Sequence, residues 1–224
     1  MHNYVRVKIC CIASVEEAML AIRQGASALG LVSEMPSGPG VIDDNLIAEI
    51  AVNVPPPVAT FLLTSKQSAE EIINQQLKTK VNTLQLVDHV SFEELKKLKK
   101  QLKGVKIVQV IHVLGESSVK EAIKVQEYVD ALLLDSGNPR LIVKELGGTG
   151  RTHNWDISKK IVEEVNIPVI LAGGLNPGNV LEAIKTVQPY GLDICSGVRT
   201  NNLLDEEKLK LFFRKVNNSN IGLI

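Results

Sequence analysis

Eight short runs rich in β-branched residues and leucine recur along the 224 residues: "VRVKICCI", "ALGLVS", "VATFLLT", "TLQLV", "KIVQVIHV", "ALLLD", "IPVILAGG" and "LDICSG". Between them lie segments with helical spacing of apolar residues, among them "VEEAMLAIRQG", "DNLIAEIAVNV", "AEEIINQQL" and "FEELKKLKKQL"; "DEEKLKLFFRKV" follows the eighth run. Most of the runs are continuously apolar rather than alternating, as in strands covered on both faces. Eight strand–helix units predict an α/β fold, the (β/α)8 TIM barrel, as a single domain over residues 1–224. That barrel typically takes about 250 residues, so this one is compact. A doubly wound open sheet is the alternative, but it needs fewer units, and no G-x-G-x-x-G follows the first run. "VPPPV" at 54–58 reads as a helix stop, not as a linker.

The predicted helix starts share a device. Ser14-x-x-Glu17, Ser68-x-x-Glu71, Ser91-x-x-Glu94 and Ser118-x-x-Glu121 each fit a capping box, which satisfies free N–H groups of a first helical turn. Their placement after strand runs supports a repeating strand–loop–helix unit.

Function in such a barrel sits at the C-terminal ends of the strands. Two predicted loops there are long, "SEMPSGPGVID" after the second strand and "SGNPRLIVKELGGTGRTHN" after the sixth. Loops of that length are uncommon unless they are functional. Gly173, Gly174, Ser196 and Gly197 close the seventh and eighth strands, where backbone N–H groups can approach a phosphate. Within "GGTG", Gly148, Thr149 and Gly150 could add donors from the sixth loop. Asp135 ends an apolar strand, where poor solvation favours a general acid; capping of its own loop is the plainer reading.

Cys10 and Cys11 face opposite ways if the first strand runs through both. One then points to the barrel mouth as a base or nucleophile, the other to the helical layer as a small hydrophobe. Lys8 shares the inward parity, would favour a thiolate, and is placed among the expected substrate- or phosphate-binding residues. Cys195 is assigned to packing. His112, ending the fifth strand, could reach the mouth, although a hydrogen-bonded structural role is the commoner one.

Composition narrows the partners. Lys plus Arg and Asp plus Glu are 25 each, so no global field favours nucleic acid or an anionic membrane. No apolar run reaches the roughly 20 residues of a membrane span, and "MHNYVRVKIC" has no signal-peptide character. Three cysteines read as free thiols in a reducing, cytoplasmic compartment. The four histidines lack ligand spacing and there is no C-x-x-C, so no metal is expected. The glycine sets point to a small phosphate-bearing partner, and the chain is expected to be a monomer or homodimer.

At these residues the chain resembles the phosphoribosylanthranilate isomerase family of tryptophan and aromatic amino acid biosynthesis. The likeness runs from "VKICCIASVEEAMLAIRQGASALGLV" through "TLQLV", "LLLDS", "GGTGRTHNWD" and "LAGGLNPGNV" to "LDICSGV". The family patterns are K-I-C-G-I, G-G-[ST]-G-[KR]-T-F-D-W and S-G-G-L-x-P-x-N-V. The resemblance implies a cofactor-free Amadori rearrangement of an aminoaldose phosphate to an aminoketose phosphate. By motif, Cys10 would be the base at ribose C2 and Asp135 the acid at the ring oxygen. The glycine sets at 148–150, 173–174 and 196–197 would hold phosphate.

The chain also departs from the family. The second loop lacks the arginine of an S-x-R-Y pattern that contacts the anthranilate side. Val87 replaces the histidine of V-Q-L-H-G, Cys11 replaces a glycine, and Arg199 stands where an acidic or other residue is commoner. Arg199, Arg140 or Arg151 is therefore expected to replace the missing charge, with Arg199→Ala raising KM. A paralogous isomerase of another sugar phosphate and a non-catalytic phosphometabolite-binding barrel stay open.

Overall fold

The eight runs are strands, and they close on themselves. The computed structural model describes residues 4–139, 141, 143–147 and 150–221, without side chains for the last two. The strands are β1 (Arg6–Ile9), β2 (Ala28–Val32), β3 (Ala59–Thr64), β4 (Thr83–Leu86), β5 (Lys106–His112), β6 (Ala131–Asp135), β7 (Val169–Leu171) and β8 (Gly191–Ile194). Each pairs in parallel with the next, and β8 pairs with β1, completing the barrel. The helices are α1 (Val15–Arg23), α2 (Asp44–Asn53), α3 (Ala69–Thr79), α4 (Phe92–Gln101), α5 (Ser117–Val125), α6 (Trp155–Glu164), α7 (Val180–Val187) and α8 (Glu206–Ile221). A 3-10 turn at Ser196–Val198 and a hairpin, Arg199–Thr200 with Leu203–Leu204, lie between β8 and α8.

Strand parity divides the core in two. Ile9, Leu29, Leu31, Leu62, Leu84, Leu86, Ile111, Leu132 and Leu134 point outward and pack against apolar helix faces, such as Leu95 and Leu98 of α4. Each such side chain contributes about 1.5–3 kcal/mol when fully buried. The inward set is different: Cys10, Ala28, Val32, Phe61, Leu63, Val108, Val110, Leu133, Ile170 and Ala172. Lys8, Gln85, Asp135 and Asp193 are buried as well.

The helix starts correct one expectation. Ser14 and Ser91 do cap α1 and α4, accepting from the N–H groups of Glu17 and Glu94. Their glutamates, however, reach Ala13 and Ala69 instead of closing the box. Ser68 sits at the cap of α3 without a side-chain cap bond. Ser118 is inside α5; its hydroxyl donates to the His112 carbonyl and accepts from Leu114 N–H. α5 begins at Ser117, so Ser118 lies past the cap position, and its hydroxyl turns back to the carbonyl at the end of β5.

Candidate active site

The C-terminal ends of the strands surround a cavity of about 640 Å³, including the open solvent at its mouth. Cys10, Asp135 and Asp193 line it with Gln85, beside Gly147 and Gly150 of the sixth loop, Gly173 and Gly174 of the seventh and Ser196 of the eighth.

Strand β1 stops at Ile9. Cys10 makes one further ladder bond, its N–H donating to the Ile194 carbonyl at 2.8 Å. At Cys11 the backbone turns left-handed, with φ +62°. This conformation costs a non-glycine residue about 1–2 kcal/mol, and it is the place where the resembling family has glycine. The turn breaks strand alternation, which overturns the expectation that Cys11 faces the helical layer. Cys10, Cys11 and also Cys195 line the same cavity. Hydrogen bonds with Cys10 and Cys195, then burial, raise the Cys11 pKa. The Cys11 bond lowers that of Cys195 against its burial, helped by the Arg199 charge.

Asp135 ends β6 beside His112 in register on β5. Burial raises its pKa, opposed by the Ser136 N–H donating to Oδ1 at 2.7 Å. His112 itself bonds the Val87 carbonyl at 3.0 Å and is not part of the lining, in keeping with its structural reading.

Lys8 is not at the mouth. Its ammonium pairs with Asp193 at 2.8 Å, 2 % and 8 % of the two side chains being exposed. Burial alone would lower the Lys8 pKa, yet Asp193 and, more weakly, Cys10 hold it above the ordinary lysine value. A Cβ built on Gly30 would lie 2.8 Å from both Lys8 Nζ and Cys10 Sγ. The ammonium and the thiol are therefore within about 5.6 Å of each other, twice that distance, on either side of a position that only a side-chain-free residue leaves open. Expecting Lys8 to bind substrate was wrong on this geometry; it supports the floor. The sequence reading also missed Asp193. An aspartate inside the apolar eighth run, opposite an inward lysine of the first, was the available signal.

Among the phosphate candidates, Gly150, Gly173, Gly174 and Ser196 line the cavity. Gly174 has φ +62°, and a Cβ there would come within 2.7 Å of the Arg151–Thr152 backbone, so its loop packs directly on the sixth. Gly197 lies just behind the lining, where a Cβ would collide with the Leu175 carbonyl. Gly148 and Thr149 lie outside the described residues, as does Arg140.

Two of the three candidate replacement charges, Arg199 and Arg151, have carboxylate partners of their own. Arg199 is spent on Glu17, both guanidinium ends lying 2.9 Å from its carboxylate. Arg151 pairs with Glu145 on the surface. The second loop contributes Met35, Ser37, Gly38 and Pro39 to the lining. Ser37 donates to the Lys144 carbonyl, and Lys144 pairs with Asp88, which stitches together the ends of β2, β6 and β4. Gln85, also unanticipated, is 3 % exposed and leaves Oε1 without a hydrogen-bond partner.

A closed parallel barrel with an acid-and-thiol cavity at the C-terminal ends of its strands belongs to the (β/α)8 enzyme class. Comparison with known proteins narrows this. Residues 7–215 match the family model described as N-(5'phosphoribosyl)anthranilate (PRA) isomerase. N-(5'-phosphoribosyl)anthranilate isomerase 2 of Methanosarcina mazei is 38 % identical over 216 residues, 96 % of this chain and 95 % of that protein. Phosphoribosyl anthranilate isomerase from Thermotoga maritima superimposes with TM-score 0.82 at 28 % identity, covering 96 % of this chain and 99 % of that one. A phosphoribosyl anthranilate isomerase in complex with reduced 1-(o-carboxyphenylamino)-1-deoxyribulose 5-phosphate gives TM-score 0.80 at 26 % identity, with the same coverage. The chain belongs to the N-(5'-phosphoribosyl)anthranilate isomerase family.

Proposed function

We propose that this barrel isomerises N-(5'-phosphoribosyl)anthranilate in tryptophan biosynthesis, with Cys10 as general base and Asp135 as general acid. The carrying observation is that both line one cavity, which Gly150, Gly173, Gly174 and Ser196 line as well. Asp135 protonates the furanose ring oxygen as the C1–O bond breaks, while the anthranilate nitrogen lone pair supplies electrons to C1. Burial favours the protonated acid this step needs. Cys10, as thiolate, then takes the C2 proton; the electrons form the C1–C2 enolamine, and ketonisation with proton return to C1 gives the aminoketose phosphate. Phosphate held by the glycine loops fixes the sugar between the two groups, converting binding into orientation. The unpaired Gln85 oxygen suits a ribose hydroxyl donor.

Turnover of phosphoribosylanthranilate by the purified protein, and complementation of a tryptophan auxotroph lacking this step, test the reading. Cys10→Ala and Asp135→Asn should each lower kcat by about 10²–10⁴-fold. Unchanged turnover in both would overturn the assignment and favour a non-catalytic barrel. The second loop, which carries no Lys or Arg over residues 33–43, supports a second reading: an isomerase of another aldose phosphate. A panel of aldose phosphates separates the two. A cytoplasmic enzyme, monomeric or homodimeric, fits either; light scattering distinguishes the two assemblies.

A further inference from the structure

We infer that Arg199, clamped by Glu17, is a positioning residue that holds the Cys10–Cys11 turn so that the Cys10 thiol stays aimed at substrate; this rests on Cys10 being the base. Arg199 begins the hairpin after β8, whereas Glu17 lies in the first turn of α1. The guanidinium meets the carboxylate end-on through two bonds of 2.9 Å, a fork geometry that a lysine cannot reproduce. Its remaining end donors go to main-chain carbonyls: Nη1 to Asn202 at 2.8 Å, Nη2 to Cys11 and, at 3.4 Å, to Cys10.

Glu17 is equally committed. Each carboxylate oxygen accepts twice, Oε1 from Arg199 and Leu204 N–H, Oε2 from Arg199 and Ala13 N–H. The pair therefore staples the segment after β1 to the segment after β8. Only 8 % of the Arg199 side chain and 14 % of the Glu17 side chain are exposed. Burial would lower the Arg199 pKa, but Glu17 holds it up, so the charge persists.

The clamp sits where this chain has need of one. Cys11 occupies a left-handed conformation that glycine would adopt freely. A cysteine there carries about 1–2 kcal/mol of strain toward extended backbone, which a bond to its carbonyl opposes. Such relaxation would rotate the Cys10 peptide, and misplacement of a reacting group by 1 Å can cost about 10²-fold in rate. Arg199 and Cys11 are thus read as two halves of one local solution.

The test measures kcat and KM for phosphoribosylanthranilate with Arg199→Met, Arg199→Lys, Glu17→Gln, Cys10→Ala, and Arg199→Met combined with Cys11→Gly. Arg199→Met should lower kcat by about 10²-fold with KM changed less than about threefold. Arg199→Lys and Glu17→Gln should fall between it and the parent. Cys11→Gly should restore at least about tenfold of the kcat lost in Arg199→Met, since glycine removes the strain that the clamp opposes. A rise in KM alone, an unchanged kcat, or no restoration by glycine overturns the inference. If Arg199→Met does not fold, the kcat of Glu17→Gln with and without Cys11→Gly decides by the same criteria. An active Cys10→Ala would remove the base assignment and this inference together; an inactive Cys10→Ala beside a fully active Arg199→Met removes only the clamp.

Discussion

Lys8 Nζ and Asp193 Oδ1 lie 2.8 Å apart inside the barrel, the aspartate lining the substrate cavity and the lysine the hollow at the opposite end. The lysine is also 5.4 Å from the centroid of Phe61. A buried pair of this kind is costly to break from one side, because the survivor is left charged and unpaired. Lys8→Met should therefore destabilise the fold by about 3–5 kcal/mol. Adding Asp193→Asn should return most of that loss. Urea unfolding of the two variants checks this; a single-variant loss under about 1 kcal/mol would remove the pair from the account.

His153 provides a pH dependence. Its ring is bonded to Ser158 Oγ at 2.7 Å, and burial lowers its pKa to about 4. The unfolded chain takes up this proton near pH 6.5, the folded chain only near 4. Stability is thus full above about pH 6.5 and falls as pH drops toward 4, by at most about 3 kcal/mol from this group. His153→Phe, which installs the residue of the family motif, should flatten that part of the stability–pH curve. An unchanged slope between pH 6.5 and 4 would contradict the assignment.

Gly40 meets Cys11 across the cavity rim. A Cβ at residue 40 would lie 2.5 Å from the Cys11 Cβ, on a backbone with φ +75°. Gly40→Ala should cost about 1–3 kcal/mol through overpacking and strain. Combining it with Cys11→Gly removes the nearest contact but leaves the Cα of residue 11 at 3.0 Å and the strain at 40, so part of the loss should return. Thermal unfolding of the four-member cycle measures the coupling, expected at about 0.5–3 kcal/mol. Strict additivity would show that the rim and the turn are independent.

The thiols should differ in reactivity. The Cys11 hydrogen bond, with the Arg199 charge, lowers the Cys195 pKa, while that of Cys11 is raised. Thiolates are the species alkylated. Iodoacetamide at neutral pH should therefore label Cys195 ahead of Cys11, as read by peptide mass spectrometry. The reverse order would contradict the proposed polarity of the cluster.

The barrel was visible in the chain because its signal is repeated and local. Eight apolar runs separated by amphipathic segments leave few ways of covering every strand on both faces; seven observed strands lie within them and β8 starts one residue earlier, at Gly191. Cys10 and Asp135 were legible because strand ends define the mouth of a barrel. Helix caps were less so: Ser118 has the right spacing but lies inside α5, its hydroxyl bonded to the His112 carbonyl.

Side-chain direction beyond the strands was decided by tertiary structure. Parity predicts which way Cys11 points only while the backbone stays extended, and a φ of +62° at one residue brings it back to the cavity. Arg199 looked like a spare charge for substrate until its partner appeared 182 positions away. Sequence by itself determines the periodicities, and with them the strands, the closure and the ends on which chemistry sits. Where a long charged side chain finds its counter-charge depends on which loops closure brings together, and hydrogen-bond geometry selects that partner over distances that no local pattern encodes.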